Sequence, residues 1–308
     1  MGSIAEITPE FLRQIALPSP EEGDKKTRGN VLVIAGGAKV PGAALLAGVA
    51  ALRAGAGRLR IATCARNATA LAVAVPEALV LGLPEGPDGA IDPASASELL
   101  PYAQSADAVL IGPGLADEDA IAALAADLIA QVPPGPAFVF DAGAIKHLRR
   151  LIPLLERHHG KVVITPHAGE MAGLMGVEQT DVEADRVLMA GKAANELGAA
   201  VALKGAETFV ARGQQAAVVC CQGNVGLATS GSGDVLAGVI VGLLGRGADT
   251  FTATCWAVYL HAKAGDRLAR KIGPLGFLAH ELLIEIPAIM AEASRSALSD
   301  PELLQPDS

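Results

Sequence analysis

Residues 223–245 read GNVGLATSGSGDVLAGVIVGLLG, and this stretch decides the fold class. Glycine and hydroxyl residues crowd positions 228–233, Asp234 follows, and apolar residues then recur at helical spacing. A glycine-rich turn therefore leads directly into a buried helix. The free amides in the first turn of such a helix, together with the helix dipole, form a binding site for an anion. Because glycine has no Cβ, a phosphate can approach this backbone closely.

Asp234 has two interpretations. As a helix cap, it would stabilise the helix by about 1 kcal/mol. As a catalytic base, its carboxylate would take the proton of an attacking hydroxyl while the amides hold the phosphoryl group being transferred. A cap alone does not need three small residues in front of it, nor a helix apolar enough to be buried at its amino end. The sequence therefore favours the catalytic role.

The rest of the chain alternates short apolar runs with longer helical stretches, which indicates an α/β layered fold. The runs predict strands of a parallel sheet at residues 31–35, 58–63, 78–81, 108–111, 137–140, 162–165 and 199–203. The longer stretches predict helices at residues 42–54, 117–131, 181–197 and 249–269. Residues 207–211 and 216–220 instead predict an antiparallel β-hairpin. We expect a mostly parallel central sheet with helices on both faces and an antiparallel hairpin in the last third.

Several predicted strands end in residues suited to ligand binding. Gly36 and Gly37 follow the first strand, and Gly114 in IGPGL follows another, so two glycine-lined strand ends suggest a shared crevice. His167 in TPHAGE also follows a strand, where it is either a structural histidine or a ligand contact. Lys204 in LKGAET ends a buried strand, where an amine is costly unless it meets an anion. Its partner is either a nucleotide phosphate or a carboxylate of the protein.

Composition excludes several classes of function. The formal net charge of −9 argues against a nucleic-acid partner. The most apolar uncharged stretches, at residues 43–52 and 235–245, are much shorter than the ~20 residues that a membrane helix needs. The start of the chain carries no visible secretory signal, so the cytoplasm is the default location.

The four cysteines form no CxxC pair and are interpreted as buried thiols, and His261 is interpreted as a helix residue without a partner.

Taken in order, AGG…PGAALLAG, IGPGL, DAGA, TPHAGE, LKGAET and GN.GLA..GSGD resemble the motifs of the ADP-dependent NAD(P)H-hydrate dehydratases, a branch of the ribokinase-like superfamily. The resemblance runs from about Thr27 to about Pro287. It implies a three-layer ribokinase-like fold. Because no repeat or linker divides the chain and the sequence turns polar after Leu298, we expect a single domain over residues 1–308 with an ordered core of about 8–298. In that family a nucleotide phosphorylates the hydroxyl of hydrated NADH or NADPH, and elimination of phosphate then restores the reduced dinucleotide. The family's activity is therefore that of a lyase.

The resemblance also implies a role for individual residues. Contacts to the hydrated dinucleotide are expected from Ala43, Gly114, His167 and Asp234. Contacts to ADP or AMP are expected from Lys204, Gly205, Ala206, Glu207, Thr208 and Gly233. Asp234 would be the base, and the anion hole would comprise the backbone amides of Gly231, Ser232 and Gly233. Mg²⁺ is expected with the nucleotide, with no protein metal ligand assigned directly, and ADP is the expected donor, with ATP as an alternative. Ser230 and Ser232 stand where the family usually has glycine and threonine.

Many family members carry an epimerase domain ahead of this one, and fewer than 30 residues precede the first motif here. We therefore expect no epimerase domain, action on the S epimer alone, and a separate epimerase working on the same metabolite. The family also suggests a homotetramer. Two alternatives stay open from the sequence. A vitamin-precursor kinase of the same superfamily would share Asp234 and the anion hole, and a nucleotide-sensing binding protein would have the site without turnover.

Overall fold

The computed structural model describes residues 4–18, 28–86 and 88–295. Its centre is a ten-stranded sheet with the order β1-β10-β9-β8-β7-β6-β5-β2-β3-β4. The strands are β1 (Ala5–Glu6), β2 (Asn30–Ile34), β3 (Arg58–Cys64), β4 (Ala78–Leu83), β5 (Ala108–Ile111), β6 (Ala137–Phe140), β7 (Val162–Ile164), β8 (Ala200–Leu203), β9 (Thr208–Arg212) and β10 (Val218–Cys220). Only β9 runs antiparallel to its neighbours, β8 and β10. The predicted parallel sheet and hairpin are both confirmed.

Helices cover both faces of this sheet. They are α1 (Pro9–Gln14), α2 (Gly42–Arg53), α3 (Ala65–Ala74), α4 (Ala96–Gln104), α5 (Glu118–Gln131), α6 (Ile152–Leu155), α7 (Ala168–Met175), α8 (Gln179–Ala184), α9 (Arg186–Leu197), α10 (Ser232–Gly245), α11 (Thr250–Lys271) and α12 (Ala279–Ser294). Side chains alternate along each strand, so Val31 and Val33 join the core under α2, α10, α11 and α12. Leu32 and Ile34 join the core on the other face, under α4, α5, α7 and α9. This is the expected three-layer α/β fold.

The helix predicted from the opening stretch, α10, is the most buried one and packs on α2 through very small residues. A Cβ built on Gly238 would lie 2.3 Å from the carbonyl oxygen of Ala47, and one built on Gly242 would lie 2.5 Å from that of Ala51. No side chain separates the two backbones at these points. The α2–α10 contact therefore explains part of the chain's alanine-rich and glycine-rich composition, because any larger residue would push the helices apart.

Some expectations from the sequence need correction. The single helix expected at residues 181–197 is two helices, α8 and α9. The backbone of Asp185 leaves helical conformation between them, and its Oδ1 accepts the amide of Leu188 at 2.9 Å as the cap of α9. Strand β1, which pairs with β10, begins before residue 8, the expected start of the ordered core. The expected end of that core, at residue 298, lies outside the described residues.

The cysteine prediction is wrong at one position. Cys64, Cys220 and Cys255 are buried, but Cys221 is exposed because β10 ends at Cys220 and the chain turns outward there. Among the residues that the structure describes, no helix is both long and apolar enough to cross a membrane.

Candidate active site

Five neighbouring strands bring the candidate residues to one edge of the sheet. Lys204 follows β8, Thr165 follows β7, Asp141 follows β6, Gly112 follows β5, and the glycine turn at residues 36–37 follows β2. These strands are adjacent in the sheet and parallel, so their carboxyl ends meet. Ligands of open α/β sheets bind at this edge.

The start of α10 lies over this edge. Gly231 caps the helix with φ +89, a conformation that favours glycine, and a Cβ there would lie 2.5 Å from Leu46 Cδ1. Within the described residues, the amides of Gly231, Gly233 and Asp234 donate to no other group, whereas that of Ser232 donates to the carbonyl of Thr229 at 3.3 Å. Three amides at the positive end of a 14-residue helix thus stay available to an anion. They differ from the expected anion hole of Gly231, Ser232 and Gly233 in one member, because the amide of Ser232 is engaged and that of Asp234 is not.

Lys204 is held by carboxylates of the protein. Its Nζ lies 3.0 Å from Asp141 Oδ1 and 3.8 Å from Glu170 Oε2. Burial lowers the pKa of Lys204, but Asp141, Glu170 and Asp234 outweigh burial and raise it overall. Asp141 is buried, and the same Oδ1 also accepts a hydrogen bond from Thr165 Oγ1 at 2.6 Å. The ammonium group is therefore fixed, charged, and close to the first turn of α10.

Asp234 is set apart from the other acids by its surroundings. Burial and, to a smaller extent, the negative charge of Asp141 raise its pKa, Lys204 opposes both, and the net pKa is about 6. Its carboxylate has no hydrogen-bond donor among the described residues. A carboxylate whose pKa lies near neutrality is a suitable general base, because it is ionised at neutral pH and still basic enough to take a proton.

His167 combines the two roles that the sequence left open. It is the N-cap of α7, where its Nδ1 accepts the amides of Gly169 at 3.0 Å and Glu170 at 3.3 Å. The side chain is nevertheless 60% exposed. Together with Glu170 it lines a cleft of about 420 Å³, which reaches across to Ala142 and Lys146. His167 is thus both a structural cap and a surface of this cleft.

The two glycine-lined strand ends do meet. Gly114 has φ +68, and a Cβ there would lie 2.6 Å from the Cβ of Ala43 and 2.7 Å from the carbonyl oxygen of Val40. The amide of Gly37 donates to the carbonyl of Gly114 at 3.0 Å. Ala43 and Gly114, which the resemblance assigns to the same ligand, are therefore in direct contact.

The remaining predicted residues form the connection between β8 and β9. Residues 205–207, called the hairpin loop below, are exposed, and their amides donate to no other group of the described chain. Lys204 at the base of the loop pairs with the chain just before α7, since its amide donates to the carbonyl of Pro166 at 2.8 Å. A Cβ built on Gly233 would lie 3.4 Å from Lys204 Nζ, so the loop base and the α10 start are neighbours.

Asp141 is a site residue that the sequence analysis missed, although it is the first residue of the DAGA motif. The backbone around it is unusual. A Cβ on Gly112 would lie 1.8 Å from the carbonyl oxygen of Asp141, and Ala142 is the only non-glycine residue with positive φ in the described chain, at +51. Strained backbone of this kind concentrates at functional sites. The glycines of IGPGL and the acid of DAGA are therefore visible in the sequence. They indicate a shared site only when β5 and β6 are known to be neighbours.

The interpretation of His261 as a residue without a partner is wrong. Its Nε2 lies 2.8 Å from Ser232 Oγ and 3.0 Å from the carbonyl oxygen of Ser232. Burial lowers the pKa of His261 to about 4, so the imidazole is neutral at neutral pH. The contact joins α11 to the first residue of α10. His261 therefore helps to orient the helix start that presents the free amides.

This fold and this site define a class. Ribokinase-like proteins have a mostly parallel sheet with a late antiparallel strand. Their active site is a glycine-rich helix start that carries an acid beside free amides. A solved ribokinase-like superfamily protein from Enterococcus faecalis has a TM-score of 0.79 to this chain at 26% identity, covering 94% of this chain and 96% of that one. Within this class, a family model described as NAD(P)H-hydrate dehydratase matches residues 31–288, and the chain belongs to that family.

Two relatives agree with this assignment. A Xanthomonas campestris protein named ADP-dependent (S)-NAD(P)H-hydrate dehydratase is 46% identical over 294 residues, which cover 95% of this chain and 98% of that protein. The crystal structure of an ADP/ATP-dependent NAD(P)H-hydrate dehydratase from Bacillus subtilis, co-crystallised with ATP and Mg²⁺, has a TM-score of 0.78 at 27% identity and covers 95% of this chain and 100% of that one. The family resemblance inferred from the motifs is confirmed. The names of these relatives favour the dehydratase over the vitamin-precursor kinase.

Proposed function

We propose that this protein catalyses the ADP-dependent dehydration of the S epimer of hydrated NADH and NADPH, restoring the reduced dinucleotide and releasing AMP and phosphate. The observation that carries the proposal is Asp234, a carboxylate with a pKa of about 6 at the start of α10, next to three unengaged amides. The family match supplies the chemical class of the substrate.

The geometry supports a two-step reaction. In the first step, Asp234 takes the proton of the dinucleotide hydroxyl, the hydroxyl oxygen bonds to the β-phosphorus of ADP, and AMP leaves. The amides of Gly231, Gly233 and Asp234 hold the phosphoryl group while charge develops on its oxygens. In the second step the carbon–oxygen bond breaks and phosphate leaves with the bonding electrons. A proton then passes from the adjacent ring carbon to the phosphate, and the electrons of that carbon–hydrogen bond restore the ring double bond. Lys204 balances the negative charge that collects here.

The two ligands have separate surfaces. We assign the dinucleotide to the cleft lined by His167 and to the adjoining contact between Ala43 and Gly114. We assign the adenine nucleotide to Lys204, Thr208, the hairpin loop and Gly233. Asp234, assigned to the dinucleotide, directly follows Gly233, assigned to the nucleotide, so the two proposed surfaces adjoin at the start of α10.

Mg²⁺ is expected with the nucleotide. Among the described residues there is no group of three or more His, Cys, Asp or Glu that could hold a metal ion. Mg²⁺ commonly binds through one or two carboxylates plus substrate phosphates and keeps several waters. Asp141 Oδ2 and the carboxylate of Asp234 accept no hydrogen bond from the described residues and would be the protein oxygens that hold the ion. When bound, the ion would neutralise phosphate charge.

We also propose a homotetramer, which the family resemblance supports. Large apolar side chains at Val225, Leu275 and Leu278 are exposed and offer surface for an interface. Light scattering on the purified chain tests the assembly.

The proposed substrates are cytoplasmic metabolites, which supports a cytoplasmic location and cooperation with a separate epimerase.

The test is turnover of hydrated NADH with Mg²⁺, run in parallel with ADP and ATP. We expect the near-ultraviolet absorbance of NADH to return, with one inorganic phosphate released per NADH formed. A kinase would instead leave a stable phosphorylated product and release no phosphate. Nucleotide binding with no chemistry, unchanged in Asp234→Asn, would identify a binding protein and overturn the proposal.

A further inference from the structure

Arg186, the first residue of α9, places its guanidinium group against the hairpin loop. Its Nη2 donates to the carbonyl of Leu203 at 3.1 Å, and its Cζ lies 5.5 Å from the ring centroid of Phe209. These two residues flank the loop on either side. A Cβ built on Gly205 would lie 2.0 Å from Nη1 and 2.3 Å from Nη2, so the guanidinium occupies the space that glycine leaves open.

Apart from the hydrogen bond to Leu203 and the contact with the Phe209 ring, the guanidinium of Arg186 has no hydrogen-bonded or charged partner among the described residues. In the part of the chain that the structure describes, no carboxylate lies within 4 Å of this guanidinium, and its Nε is buried without an acceptor. Burial lowers the pKa of Arg186, and only the more distant Glu207 and Glu183 oppose burial. A partly buried cation without an anion is unfavourable, and a bound anion would offset that cost.

The hairpin loop beside it supplies matching donors. The amides of residues 205–207 have no acceptor among the described residues, and Lys204 at the loop base brings a second cation. Guanidinium groups bind phosphate through paired, charge-assisted hydrogen bonds, and backbone amides of a tight loop bind it as well. A nucleoside diphosphate matches this combination, because it presents phosphate oxygens to both sets of donors.

We propose that Arg186 binds a phosphate group of the adenine nucleotide beside the hairpin loop. The inference rests on the proposed function, which assigns this loop to ADP. Arg186 acts as a binding residue in addition to Lys204, and Gly205 is small because the guanidinium must reach past it.

A purely structural Arg186 would only brace the loop through Leu203 and Phe209. The two roles differ in their response to salt, since an ionic contact with phosphate is screened and a brace is not. We would measure the affinity for ADP with Mg²⁺ by calorimetry at low and high salt, in the full-length chain. Arg186→Met should bind ADP at least about tenfold more weakly at low salt, the loss expected for one charge-assisted hydrogen bond. Its affinity should also depend less on salt than that of the unmodified chain.

A second variant tests the position of the Arg186 guanidinium without removing the group. Gly205→Ala keeps an ordinary backbone conformation but displaces the guanidinium, and should weaken ADP binding in the same way. Matched controls lie on the same helix: Lys192→Met removes an exposed charge, and Gly191→Ala adds a methyl group in open space. Both controls should bind ADP within about twofold of the unmodified chain. Circular dichroism and thermal unfolding identify any variant that has not folded.

The outcomes separate the two proposals. If the unmodified chain binds ADP and Arg186→Met binds it equally well, or more weakly with unchanged salt dependence, Arg186 does not contact phosphate and the proposed function stands. If the unmodified chain does not bind ADP, the nucleotide site of the proposed function fails, and the role of Arg186 fails with it.

Discussion

Asp234→Asn should inactivate the protein and at the same time stabilise it. The substitution keeps the size of the side chain and removes its charge. Loss of a general base lowers the rate by at least about 10²-fold. The stability change follows from the pKa of about 6, compared with 3.8 for an ordinary aspartate. At 1.36 kcal/mol per pKa unit, the ionised carboxylate lowers the free energy of unfolding by at most about 3 kcal/mol.

The sign of this effect depends on pH in a defined way. The folded pKa is higher than the unfolded one, so folding disfavours ionisation. The penalty is complete above about pH 6, shrinks as the pH falls from about 6 to 3.8, and is absent below that range. Asp234→Asn should therefore be more stable than the unmodified chain at pH 8 and equally stable near pH 4. The turnover of the unmodified chain should fall as the pH drops through about 6, because the base becomes protonated.

Urea unfolding of both chains at pH 8 and at pH 4, with initial rates across the same range, measures all of these quantities. Asp127→Asn is a matched control, since Asp127 is exposed on α5 and has no ion pair in the described chain. It should change neither stability nor rate appreciably. An Asp234→Asn variant that is less stable at pH 8, or that retains full turnover, would refute the assignment of a buried catalytic carboxylate.

Three further perturbations test other parts of the site. Lys204→Met leaves the buried Asp141 without its cation, so the free energy of unfolding should fall by about 3 kcal/mol, measured by urea denaturation. The same variant should shift the acid limb of the pH–rate profile upward, because Lys204 opposes the rise in the pKa of the base. His261→Phe removes both contacts to Ser232 and should lower kcat roughly tenfold without moving that acid limb; an unchanged kcat would contradict a positioning role. Gly238→Ala forces a methyl group against the carbonyl of Ala47 and should destabilise the fold by about 2 kcal/mol or more, seen as a lower Tm.

The sequence predicts well whatever depends on local pattern. The doubly covered strands appear as continuous apolar runs, and the antiparallel hairpin is visible from its spacing. The glycine-rich start of α10 is recognisable because its composition differs so sharply from the helix that follows. The break at Asp185 was missed because apolar residues continue at nearly helical spacing across it, and a single cap decides where α9 begins.

The interactions that complete the site depend on strand order and helix packing, which local pattern does not encode. Asp141 and Lys204 are 63 residues apart in the chain and meet because β6, β7 and β8 are neighbours. Ser232 and His261 are 29 residues apart and meet because α11 packs on α10. Asp141 and His261 are both present in the sequence, but their partners, Lys204 and Ser232, could be identified only from the fold.

The α2–α10 contact also constrains how substrates enter and products leave. Alanine and glycine have no rotamers to exchange, so two backbones in contact through them cannot slide by repacking side chains. We therefore expect the two helices to move as one unit, so that Ala43 and Asp234, near their starts, keep their separation during turnover. We expect the opening that releases AMP or the repaired dinucleotide to come from the other walls of the crevice, namely the hairpin loop and the start of α7. We therefore expect substitutions in the hairpin loop and at the start of α7 to change the rate of product release without changing the chemical step.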